Sequence, residues 1–213
     1  MRGGVERRFR REASRWDRIY TESGHPLAQA WDRWTRSNVR RRFERTFEIA
    51  GDLGGASVLD LGCGSGRYLV EALERGAKRV VGVDFAPEMI DRARSLIENH
   101  GGADRTELRC EDLDTIEIAG AFDLVIENGV FDYLPDARRG LARAHAWTRG
   151  RFVATFPDRR APRALPRSVY WRWRGIRVRF FDPAAIAALA TAAGFHDVVI
   201  ERIGPIYLLA ARP

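Results

Sequence analysis

The stretch VLDLGCGSG, residues 58–66, sets Gly62, Gly64 and Gly66 at alternate positions directly behind a short apolar run. That arrangement reads as a buried strand turning sharply into a helix, the junction from which parallel α/β sheets are built. Glycine tolerates positive φ and allows close approach to the backbone, so the same turn is a candidate binding loop. The dinucleotide fingerprint requires glycine at the first, third and sixth places of such a loop. Here the glycines stand at the first, third and fifth, and the sixth place is Arg67. A long cation replaces the required glycine, which disfavours a dinucleotide.

From residue 55 onward strand, turn and helix patterns alternate, which predicts a doubly wound, Rossmann-like α/β fold. Strands are expected at 57–61, 79–83, 106–110, 122–126, 151–156, 196–203 and 206–211, seven in all, from their apolar and β-branched content. Helices are expected from the glycine turn to Leu73 and over 87–98, 136–147 and 183–193, with Pro87 suited to a first turn and Gly194 to a stop. Gly204 and Pro205 leave room for a tight hairpin only, so the last strand is predicted antiparallel. Residues 157–182 break the rhythm with three prolines, eight arginines and the cluster Tyr170, Trp171, Trp173, and read as an insertion after strand five. Ahead of the sheet, residues 5–50 read as helices interrupted at Gly24, His25 and Pro26, with Trp16, Ile19, Tyr20, Trp31, Trp34, Val39, Phe43, Phe47 and Ile49 at mostly helical spacing. The organisation is therefore a helical segment 1–54 and a core 55–213 carrying an insertion at 158–182.

A chain of 213 residues with 45% hydrophobic content supports one well-buried domain. No apolar run approaches the roughly 18 residues of a membrane span, and the arginine-rich start has no apolar stretch behind it, so a soluble, cytoplasmic protein is expected. Cys63 and Cys110 have no cysteine or histidine at metal-ligand spacing, which predicts neither a disulfide framework nor a metal site. The net charge of +7 is unevenly placed: residues 1–45 hold 13 Arg against 6 acids and residues 158–180 hold 8 Arg against 1, leaving the remainder net negative. Basic clusters of this kind fit nucleic acid or an anionic small molecule. A genomic preference for arginine is the third reading, since 35 of the 36 cationic residues are Arg.

The glycine loop does not stand alone. Eighteen residues beyond Gly66 the second strand ends in Asp84, within VVGVDFAPEMI, where a doubly wound sheet places a carboxylate for ribose hydroxyls. An aspartate there could equally cap the next helix. Glu111 and Asp112 follow strand three and ENGVFDYLPD, residues 127–136, follows strand four, so these segments gather at the carboxyl ends of the strands. Of the ligands that glycine-rich strand-to-helix turns serve, S-adenosylmethionine suits this spacing better than a dinucleotide.

On the loop VLDLGCGSG, the VVGVD strand end and the segment after strand four, residues 56–211 resemble the class I S-adenosylmethionine-dependent methyltransferases, nearest to small-molecule enzymes of the ubiquinone-biosynthesis and magnesium-protoporphyrin type. The stretch FFDPAAIAALATAAGF also resembles the family's step from helix to Gly-Phe before its final hairpin. The resemblance implies S-adenosylmethionine as cofactor and a small acceptor, with O-methylation foremost. It implies that Gly62, Gly64 and Gly66 lie under the methionine part of the cofactor, where a Cβ would collide with it. Asp60 would order the loop and favour the ammonium end, Asp84 would take the ribose hydroxyls and Phe85 would lie against the adenine. Asp112 would accept from the adenine amine beside the Leu113 amide, and Glu127 and Asn128 would flank the methionine portion.

Tyr133 and Asp132 fall where the resemblance puts acceptor-facing groups, and His25 would reach in from the N-terminal helices acting as a lid; packing, turn and loop roles are the alternatives. The lid and the insertion would meet over the acceptor, offering tryptophan faces and arginines from 158–180. Strand four lacks the Asn or Asp followed by Pro-Pro and an aromatic that marks nucleobase amino-group methylation. A basic protein that binds nucleic acid or modifies RNA on the same fold is the competing reading.

Overall fold

The computed structural model describes residues 26–162, 164–173 and 175–213, with side chains described from residue 38. Helix α1 (Pro26–Ala50) begins at the proline that breaks the sequence pattern. Strand β1 (Ser57–Leu61), helix α2 (Arg67–Glu74), strand β2 (Arg79–Asp84), helix α3 (Pro87–Asn99) and strand β3 (Thr106–Cys110) follow as two strand–helix units and a third strand. Strand β4 (Phe122–Glu127), helix α4 (Ala137–Trp147) and strand β5 (Thr148–Pro157) continue the winding. Helix α5 (Ala164–Trp173) lies inside the insertion, and helix α6 (Pro183–Ala192) leads to β6 (His196–Ile203) and β7 (Ile206–Arg212).

The seven strands form one sheet in the order β3-β2-β1-β4-β5-β7-β6. Neighbours from β3 to β5 are parallel, whereas β7 is antiparallel to both β5 and β6, as the short Gly204–Pro205 link requires. Strand order reverses between β1 and β4, and such a switch point opens a crevice at the carboxyl ends of the strands.

Successive strand residues point to opposite faces, and the core divides accordingly. Leu59, Val81, Val125 and Phe152 pack with Leu141 and Trp147 of α4 and Ile186 of α6. Val58, Val80, Leu124 and Val153 pack on the other face with Phe47 of α1, Leu69 of α2 and Ile97 of α3. Phe47, Phe122, Phe131, Phe152 and Phe156 are fully buried, each contributing about 1.5–3 kcal/mol relative to exposure. Helix starts follow local chemistry: Asp136 accepts from the Arg138 amide at 2.9 Å and Asp182 from the Ala185 amide at 2.9 Å, while Pro87 occupies the first turn of α3.

Two features depart from the sequence expectation. Strand β5 starts at Thr148 rather than 151, because the chain leaves α4 directly into a bulged pairing with Phe122 and Leu124. Gly150 permits that approach: a Cβ there would stand 2.3 Å from the Asp123 carbonyl oxygen. The insertion, to which the sequence pattern assigns no element, contains a helix. Its inner face is held by Trp171 and by Arg167, which reaches back to Asp132 after β4.

Candidate active site

The loop between β1 and α2 is tied to β2 before it meets anything else. The Gly62 and Cys63 amides donate to the Val83 carbonyl at 2.8 and 2.9 Å, and the Gly64 amide donates to Asp84 Oδ2 at 3.0 Å. Asp84 also accepts from the Ala86 amide at 2.9 Å, at the start of α3. The carboxylate is therefore a hub between loop and helix. Burial raises its pKa, and the amides of Ala86, Gly64 and Phe85 pull it back in part.

All three loop glycines have positive φ: +77° at Gly62, +53° at Gly64 and +83° at Gly66. Their surroundings differ. A Cβ on Gly62 would stand 2.4 Å from Val130 Cγ2, and one on Gly66 would stand 3.0 Å from Ala93 Cβ on α3. Around a Cβ on Gly64 nothing lies within 4 Å. The three positions therefore differ in what a side chain would meet. Gly62 and Gly66 let protein pack against protein, and Gly64 presents bare backbone to open space. Gly82 of β2 belongs to the same device, since a Cβ there would meet Leu69 at 2.5 Å and Cys63 Sγ at 3.0 Å.

Beside this loop lie buried oxygens without hydrogen-bond partners. Among the described residues the buried unpartnered side-chain atoms are Asp60 Oδ2, Glu127 Oε2, Asn128 Oδ1 and, elsewhere, Arg143 Nε. Asp60 pairs in register with Ile126, so its neighbours Glu127 and Asn128 stand at the adjacent strand end. Burial pushes Glu127 up to about 8. Asp60 is pushed up to about 8 by burial and then by the Asp84 charge, with Arg42 pulling the other way. Asn128 is oriented by α1: its Nδ2 donates to Thr46 Oγ1 at 3.2 Å, and that hydroxyl donates to the Arg42 carbonyl at 2.8 Å. Arg42 Nε donates to Tyr68 Oη at 3.2 Å, and the guanidinium lies 3.6 Å from a Cβ built on Gly129. The Gly129 amide donates to the buried Thr155 Oγ1 at 2.9 Å.

The structure sets the remaining sequence candidates around this centre. Phe85 is half-buried against Ala86 and Met89. Asp112 is exposed after β3, accepts from the Asp114 amide at 2.9 Å and opens a turn through its carbonyl; Leu113 packs on the core. Asp132 is buried in an ion pair with Arg167 of α5, and Arg167 also donates to Tyr133 Oη at 3.2 Å. Burial opposes the charge on Arg167, yet Asp132 and Tyr133 outweigh it and hold the guanidinium above its ordinary range. Tyr133 meets Trp171 edge-on at 6.1 Å between centroids. Arg167, one of the 158–180 arginines expected to meet an anionic acceptor, is engaged with Asp132, and Asp132 serves as an anchor for the insertion. His25, Trp16, and the side chains of Trp31 and Trp34 lie outside the described residues.

Sequence reasoning passed over Arg42, Thr46, Val130 and Thr155. The first two carried a signal: they sit four apart beside Phe43 and Phe47, a polar pair bordering the buried stripe of α1.

A seven-stranded sheet in this order, with a glycine loop and an acidic strand end at its switch point, defines the class I methyltransferase fold. Residues 58–150 match the family model described as a methyltransferase domain, and the fold is that of the class I S-adenosylmethionine-dependent methyltransferases. It is similar to magnesium protoporphyrin IX methyltransferase from Synechocystis PCC 6803, solved with SAH bound, at 20% identity over 100% of both chains and a TM-score of 0.79. The DhpI–SAH complex superposes with a TM-score of 0.70 at 21% identity, over 99% of this chain and 96% of that one. In sequence, 57 residues, or 27% of the chain, are 47% identical to ribosomal protein L11 methyltransferase of Aeromonas hydrophila. That match spans 20% of the relative's length.

Proposed function

We propose that this chain transfers the methyl group of S-adenosylmethionine to an oxygen of a small acceptor that is aromatic or anionic. The observation that carries the cofactor is the group of buried, unpartnered oxygens on Asp60, Glu127 and Asn128 beside the open face of Gly64. Buried acceptors without a donor are rare in native proteins. A set of oxygens alone, two of them carboxyl groups pushed up to about 8, fits a ligand that brings a cation and hydrogen-bond donors. An ammonium group and a sulfonium meet that description. The similar structures solved with SAM or SAH support the same choice.

In this reading the methionine portion lies over Gly64, flanked by Asp60, Glu127 and Asn128. Gly62 and Gly66 hold the loop's shape, Asp84 accepts from the ribose hydroxyls, and Phe85 lies along the adenine. Asp112 and the Leu113 amide receive the adenine edge. Bound there, the cofactor supplies a methyl group already activated by the sulfonium charge. The protein's own task is to align the acceptor and exclude water, with no protein nucleophile. Tyr133, oriented by Arg167, is the acceptor-facing candidate. His25 remains the candidate base from the N-terminal lid, needed only where the acceptor arrives protonated.

Isothermal calorimetry tests the reading: SAM and SAH bind and nicotinamide dinucleotides do not. Asp84→Ala weakens both adenosyl ligands by about 1.5–3 kcal/mol, the worth of a hydrogen bond to a charged group. Failure to bind either ligand would overturn the assignment, while an unchanged affinity in the variant would remove Asp84 from the site. Screening anionic aromatic acceptors for methyl transfer then tests the acceptor class.

A further inference from the structure

Among the described residues the large hydrophobic side chains that stay exposed are Leu165, Val169, Tyr170, Trp173 and Val199, and four of these five lie on the ten-residue helix α5. Trp173 is 83% exposed and Leu165 73%. With about 100° of rotation per residue, Leu165, Val169 and Trp173 step along one face, and Pro166 and Tyr170 complete an apolar arc of about 140°. The opposite face does the anchoring: Ala164 and Trp171 are buried, and Arg167 pairs with Asp132. The arc is therefore not what holds α5 in place.

Charge surrounds it. Residues 159–181 contain eight arginines and no acid. Arg172 borders the arc, and Arg177 and Arg179 are exposed just beyond the helix. We propose that the outer face of α5 docks on an anionic lipid bilayer, with Leu165, Val169 and Trp173 entering the acyl boundary and the arginines resting among the headgroups. An apolar stripe containing tryptophan, bordered by arginines, is what interfacial helices present, and each cation near an anionic surface adds to the binding. The same charge argues against other occupants. A second copy would bring its own eight arginines onto these, and residues 1–25, with seven arginines against four acids, repel the patch as well. Nucleic acid would satisfy the arginines but leave the apolar arc against phosphates.

Docking in this way turns the candidate site toward the membrane, because α5 touches the segment after β4 through Arg167 on Asp132 and Trp171 on Tyr133.

The experiment is flotation of the full chain with vesicles of phosphatidylcholine containing phosphatidylglycerol, beside vesicles of phosphatidylcholine alone. No cofactor is required, so the outcome is independent of the methyl-transfer reading. The chain floats with the anionic vesicles and partitions at least about tenfold less onto neutral ones. The variant Leu165→Ser/Val169→Ser/Trp173→Ser and the variant Arg172→Glu/Arg177→Glu each lose about tenfold or more. Both retain the parent melting temperature, since the altered side chains are exposed; if the triple variant melts lower, the charge variant decides. No flotation with anionic vesicles, equal flotation by the charge variant, or a dimer in size-exclusion chromatography that the triple variant dissolves would overturn the proposal.

Discussion

Glu127 shows how much a single residue's meaning depends on its surroundings. In the sequence it is an acid after an apolar run; in the fold it is 2% exposed with one oxygen unpartnered, and burial pushes it up to about 8. The folded chain therefore holds a proton there that the unfolded chain, near its ordinary value of 4.5, has already released. Stability from this group is complete below about 4.5 and is lost as pH rises through about 8, by at most about 1.4 kcal/mol per pH unit. Asp60 adds a loss of the same sign. Glu127→Gln removes the Glu127 part, so thermal melts of the variant should fall less between pH 5.5 and 8 than those of the parent. A bound cation reverses the preference, since it favours the ionised carboxylates. Calorimetry in buffers of different ionisation heat should then register proton release on SAM binding at pH 7, reduced in the Glu127→Gln protein.

The loop between β1 and α2 is the element in which three identical residues do different work. Gly62→Ala sets a Cβ against Val130 at a positive φ, and is expected to lower stability by roughly 1–3 kcal/mol, read from chemical denaturation. Gly64→Val carries backbone strain alone, because its Cβ meets nothing within 4 Å. It should leave the circular dichroism of the fold intact while abolishing adenosyl-ligand binding; loss of fold along with binding would make Gly64 structural. The glycine spacing was legible as a tight strand-to-helix turn. Which glycines pack against protein and which stays open was not, because that depends on Val130, 68 residues from Gly62, and on Ala93, 27 residues from Gly66, and their approach is a matter of packing.

Across the whole molecule the excess of +7 gathers in two segments, and the fold puts one of them on α5 beside the candidate site. Arg167 is already committed to Asp132, and the arc between the other arginines is apolar. Titration with duplex and single-stranded oligonucleotides across salt concentrations should accordingly give weak binding, alongside methyl transfer to a small acceptor. Tight, steeply salt-dependent oligonucleotide binding without turnover of any small acceptor would favour the nucleic-acid reading instead.

The alternation of strands and helices, the antiparallel last strand, the caps at Asp136 and Asp182 and the acid at the end of β2 all follow from local chemistry: propensity, side-chain period and turn length act over a few residues, and each left its mark in the chain. Other features needed the tertiary structure. The reversal of strand order between β1 and β4 brings Asp60 beside Glu127, 67 residues on, and strips both of water. The same folding lays α1 against the strand ends so that Thr46 orients Asn128, and converts Asp132 from an open turn residue into the buried partner of Arg167. Dehydration and ion pairing between distant segments depend on three-dimensional distance, and a linear pattern of residue types carries no record of that distance.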